Sequence, residues 1–94
     1  MKKLRSFEVL GTKVKVKYSK SIKKAGALGL ADLEKNEITI QKDLKPDMER
    51  VTVLHEILHV IFNVLGEHEL CNNEKIIDTT ANVLYQIEKT SKYR

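Results

Sequence analysis

His55 and His59 stand four residues apart, with Glu56 directly after the first, in the run His55-Glu56-Ile57-Leu58-His59. On a helix this spacing sets both imidazoles one turn apart on the same face, where they can reach a single ion. Neutral imidazole nitrogen is a good ligand for Zn²⁺ at roughly 2.0–2.1 Å. The glutamate is offset from the first histidine by about 100° and can meet a water beside the metal without binding the metal itself. That is the placement of a general base acting on zinc-polarised water. The residues around the three are otherwise apolar. Burying two histidines and a carboxylate among them is costly unless they have partners, which favours a metal site over two core histidines satisfied by backbone carbonyls.

A catalytic zinc usually has three protein ligands and an open position. The donors downstream are Glu67, His68, Glu69, Cys71, Glu74 and Asp78. Glu74 is the best third ligand. It falls in the first turn of a second helix, with Asp78 one turn further along the same face. One carboxylate can then bind the metal while the other accepts the free N–H of a liganding histidine and fixes its tautomer. His68 and Glu69, in the loop after Gly66, compete as ligands, and His68 is also the candidate for holding an oxyanion. Cys71 reads as a small apolar residue rather than a thiolate ligand, and Glu67 as exposed. Tyr85 shares the stripe of Glu74 and Asp78 but lies about 16 Å along the helix, too far to help.

The elements that must position these residues follow from the pattern around them. Pro46 suits a first helical turn, Asp47 and Glu49 suit its positive end, and Gly66 supplies a stop. Apolar residues surround nearly the whole circumference of this 46–66 helix, so it should be central and buried. The second helix spans 72–90, N-capped by Asn72 or Asn73, with Ile76, Ile77, Thr80, Val83, Leu84 and Ile87 as its apolar face.

Residues 1–42 read as strand-rich. Arg5–Leu10 and Lys13–Tyr18 flank a turn at Gly11, and Val14, Val16 and Tyr18 alternate with three lysines. A short irregular or helical connection follows over Ser19–Ala25. Leu28–Leu33 and Glu37–Gln41 form a second hairpin, with Gly29 and Ala31 leaving one strand face nearly bare and open to close approach. Strands followed by helices predict an α+β domain, a small, mainly antiparallel sheet with helices on one face.

Composition bounds the reading. The chain has 94 residues, enough for one domain and no second core. With 41% hydrophobic and 32% charged residues it is neither disordered nor low-complexity. One cysteine, Cys71, excludes a disulfide framework. The basic start is not followed by the apolar stretch of a secretory signal, and no run is long enough to span a membrane, so a cytoplasmic protein is expected. The net charge of +4 is uneven: residues 1–24 hold nine Lys/Arg against Glu8, or +8, and residues 25–94 hold eight against twelve acids, or −4. The Lys13, Lys15, Lys17 run reads as a solvated strand face, with a nucleic-acid surface as the alternative.

His55-Glu56-xx-His59 followed by Asn73-Glu74-xxx-Asp78 resembles the gluzincin arrangement. The metzincin continuation is excluded, since Phe62 and Leu65 occupy the positions its glycine and third histidine would take. The fifteen residues from His59 to Glu74 resemble the minimal zincin domains of phage and mobile-element proteins, related to the ImmA/IrrE-type metallopeptidases. The resemblance covers roughly residues 27–88. It implies His55, His59 and Glu74 as zinc ligands, Glu56 as base and acid, and Asp78 as support for a liganding histidine. It also implies that a peptide or protein substrate adds to the sheet edge as an extended strand. The function expected is zinc-dependent peptide-bond hydrolysis. The alternative is an inactive zinc-bearing interaction or regulatory module, against which Glu56 argues because structural zinc does not require it.

Overall fold

A computed structural model describes residues 3–93. The valine–lysine alternation forms an antiparallel hairpin of β1 (Ser6–Val9) and β2 (Thr12–Ser19). Its two-residue turn, Leu10 and Gly11, has φ of 47° and 83°. Positive φ at both positions is what the right-handed twist of a tight hairpin demands, so Leu10 adopts a backbone that glycine or asparagine would hold more easily. A 3-10 turn at Ile22–Ala25 leads into a second antiparallel hairpin, β3 (Gly29–Asp32) and β4 (Glu37–Gln41). Three helices follow: α1 (Pro46–Val64), α2 (His68–Cys71) and α3 (Glu74–Thr90).

The strand order is β1-β2-β4-β3, with β2 and β4 parallel. The architecture is α+β, and two of the three strand pairings are antiparallel. β3 is an edge strand. The connection between the hairpins is anchored by the buried Gln41 side chain, which accepts from Lys23 N at 2.7 Å and donates to Lys20 O at 3.1 Å.

Alternation puts Val14, Val16, Ile38 and Ile40 on one face of the sheet, where they pack against Val53 and Val60 of α1. Register aligns Val16–Ile38–Ala31 and Tyr18–Ile40–Gly29 across the strands. Side chains therefore shrink toward β3, and α1 can lie closest there. The bare face of β3 is the one that meets α1, while Leu30 points out and is half exposed.

The other side of α1 packs on α3 through Leu54, Leu58, Ile77 and Ala81. α1 is thus central, as its sequence predicts, although it ends at Val64 and leaves Leu65 exposed. The expectation for α3 needs correction. Only Ile77 of its six named apolar-face residues is buried; Ile76, Val83, Leu84 and Ile87 are exposed, and Ala81 takes the second core position. The stretch after Gly66 is also not a plain loop, since α2 forms one helical turn there. Among the described residues no helix is long and apolar enough to cross a membrane.

Candidate metal centre

The first turn of α3 is set by Asn73. Its side chain accepts from Ile76 N at 3.1 Å, capping α3 and fixing where Glu74 starts. α3 packs along α1 so that Glu74 faces the two histidines. Glu74 Oε2 stands 3.1 Å from His55 Nε2, and Glu74 Oε1 stands 3.1 Å from His59 Nε2. One ligand atom from each of the three residues lies within 4.8 Å of the others. The rings of His55 and His59 have centroids 5.1 Å apart, as expected for neighbours one turn apart.

The donor set fits zinc. Two imidazole nitrogens and a carboxylate oxygen are its common ligands, and bonds of about 2.0–2.1 Å at tetrahedral angles put ligand atoms about 3.4 Å apart. Here each 3.1 Å contact is made by a different oxygen of Glu74, so the carboxylate bridges the two imidazoles.

The distal nitrogens have different surroundings. His59 Nδ1 lies 2.7 Å from the backbone carbonyl oxygen of Cys71, to which it donates when Nε2 is the free electron pair. The Cys71 thiol in turn donates to His59 O at 3.3 Å, so α2 and α1 are laced together beside the site. Burial pushes the Cys71 thiol up, with the Glu74 carboxylate adding to the effect, which leaves it a poor thiolate ligand. His55 Nδ1 has Asp78 Oδ1 at 3.7 Å, a charge contact longer than a hydrogen bond.

Glu56 packs against Gly29 of β3, lines the same cleft as His55, His59 and Glu74, and is only 6% exposed. It fits because position 29 has no side chain. A Cβ there would stand 2.8 Å from Thr52 Cγ2 and 2.9 Å from Glu56 Oε2. Burial, and secondarily the charge of Glu74, pushes the Glu56 carboxyl up to about 7.

Two clefts meet at this point, and Gly29, His55 and Glu56 line both. One, about 250 Å³, runs between β3 and the first half of α1 past Leu28, Val51, Thr52 and Asp78. The other, about 280 Å³, runs past Leu30, Ala31, His59 and Glu74. The first opens onto a broader groove of about 520 Å³ that continues past Met48 and Tyr85.

The structure therefore brings together His55, Glu56, His59 and Glu74, with Asp78 beside them. His68 and Glu69 lie exposed on α2 and line neither cleft. Tyr85 is engaged elsewhere, with its hydroxyl donating to Asp47. The Cys71 carbonyl is the partner that residue types alone do not reveal, because every residue carries one. Comparison with protein-family models, curated proteins and solved structures gives no significant match, so the case for a metal centre rests on these residues and their geometry.

Proposed function

We propose that the chain is a zinc-dependent metallopeptidase of minimal gluzincin type, acting in the cytoplasm and related to the ImmA/IrrE-like peptidases of phage and mobile elements. The observation that carries this reading is the convergence of two imidazoles and a carboxylate beside a separate, buried glutamate that faces a cleft at a strand edge. A purely structural zinc site has no use for that fourth residue.

His55, His59 and Glu74 would hold the ion. When bound, zinc polarises the scissile carbonyl and makes a water more acidic. Glu56 takes a proton from the attacking water as its oxygen bonds to the carbonyl carbon. The C–N bond breaks, and Glu56 returns the proton to the departing amine. β3 offers its free edge to the substrate backbone as a further strand, which presents the peptide across the cleft in extended form.

The test is Glu56→Gln together with the parent, both with measured zinc content. The variant should retain zinc and lose about 10²–10⁴-fold in hydrolysis of a peptide library. A hydroxamate should inhibit the parent by entering the open coordination position. Cleavage by the variant at the parental rate, or a zinc-loaded parent that ignores hydroxamates, overturns the proposal.

A further inference from the structure

Among the described residues, the cations of the basic N-terminal segment take no part in the candidate metal centre, yet the fold gathers several of them. Where β1 begins and β2 ends, a cleft of about 570 Å³ is walled by Lys3, Arg5, Lys17, Lys20 and Lys42, with Asp43 the one acid in its described lining. Lys3 is tied to Glu49 at 2.7 Å and Lys17 to Glu37 at 3.1 Å. Among the described residues Arg5, Lys20 and Lys42 make no ion pair, and all three are exposed. Like charges around a concave surface focus a positive potential into it and raise the local concentration of anions.

The cleft shares Lys17 with a row of lysines on the helix-free face of β2. Lys13, Lys15 and Lys17 project from the open face of β2, successive ones about 6.8 Å apart at two residues per step. Glu8 faces Lys13 and Glu37 faces Lys15 across the sheet, so the row is partly neutralised and the cleft is the stronger half of the surface. A single small anion would occupy the cleft and leave the row unused. A linear chain of evenly spaced negative charges would use both.

Among the described residues this surface offers no platform for bases. Tyr18 is the aromatic residue here, and Lys3 Nζ sits 4.6 Å over its ring while its hydroxyl donates to Leu4 O at 2.9 Å. Stacking recognition needs a free aromatic face, so contacts would be to phosphate alone. We propose that the basic cleft, together with the lysine row that shares Lys17 with it, binds the phosphate backbone of nucleic acid without reading its sequence.

The experiment is fluorescence anisotropy of a labelled 20-base-pair DNA duplex titrated with the full chain between 50 and 200 mM salt. With about three to five phosphates contacted, log K should fall linearly with log salt at a slope of about −2.7 to −4.5, and unlabelled duplexes of unrelated sequence should compete equally. The triple variant Arg5→Gln, Lys20→Gln, Lys42→Gln should bind at least about tenfold more weakly and flatten the slope by about two to three. The control Lys35→Gln, Lys75→Gln, Lys92→Gln removes the same charge elsewhere and should bind nearly as the parent does. All six positions are exposed, and circular dichroism checks that both variants fold. Equal losses in the two variants, no saturable binding at 50 mM salt, or tighter binding to phosphatidylserine vesicles than to the duplex would each overturn the proposal.

Discussion

The Nδ1 of His59 lies 2.7 Å from the carbonyl oxygen of Cys71, and the Nε2 of the same ring lies 3.1 Å from Glu74. One nitrogen is committed to the backbone of α2, which turns the other toward the cluster. The carbonyl of Cys71 makes the short contact, while its thiol lies 4.0 Å from the same nitrogen.

Cys71→Ala separates these roles. The carbonyl acceptor survives the change, so zinc affinity should be unchanged, while loss of the buried sulfur should cost about 1–2 kcal/mol in urea unfolding. Asp78→Asn should do the reverse, lowering zinc affinity about tenfold by titration calorimetry with little effect on the metal-free chain, since Asp78 is exposed and faces His55 Nδ1. Zinc at a hundred times its Kd should add about 2.7 kcal/mol to stability, and a chelator should remove it.

Gly29→Ala should destabilise the chain by about 1–3 kcal/mol, because the new methyl would press on Thr52 and Glu56 at under 3 Å. Adding Thr52→Ser removes one of the two obstructing groups and should recover part of the loss. A double-mutant cycle by chemical denaturation measures that coupling, and strict additivity would show that the strand and helix do not meet as described.

Adjacent isoleucines on α3 should differ sharply. Ile77 is 0% exposed and Ile76 is 40% exposed. Ile77→Ala should cost about 3 kcal/mol by leaving a cavity against α1, whereas Ile76→Ala should cost under about 1 kcal/mol. Urea unfolding of the two variants decides it.

Arg50 clamps Glu88 with two bonds, Nε to Oε2 at 2.9 Å and Nη2 to Oε1 at 2.6 Å, tying the start of α1 to the end of α3. The Arg50 hydrogen bonds hold the Glu88 carboxyl below its usual 4.5. A depressed folded-state pKa stabilises the chain above the unfolded value, and the contribution disappears as pH falls through the folded value. Both side chains are about 40% exposed, so solvent limits the effect to at most about 1 kcal/mol. Thermal unfolding from pH 6 to pH 3 should therefore show Glu88→Gln less acid-sensitive than the parent by that amount.

Much of this fold was legible because its signals are local. The lysine–valine alternation of β2, the Pro46 start and Gly66 stop around α1, and the Asn73 cap of α3 each depend on a few neighbouring residues. The i, i+4 histidines and Glu74 could be named for the same reason, and the bareness of β3 pointed to a close approach there. What stayed hidden depended on distant packing. Ile76, Val83, Leu84 and Ile87 have the spacing of a core face, yet α1 covers only one side of α3, and which side is set by where Leu54 and Leu58 fall. The Cys71 carbonyl could not be singled out, and neither could α2, whose four residues carry little periodicity. The parallel pairing of β2 with β4 leaves no trace in either strand, because alternation looks the same in both directions.

That parallel seam imposes an order on assembly. Each hairpin closes over a turn of a few residues, but the seam joins strands that run the same way and closes only when residues 20–36 have looped back between them. Closing the longer loop costs more chain entropy before any contact offsets it. The two hairpins should thus form first and their union beneath α1 should be the slower step, an order that φ-values in β2 and β4 would test.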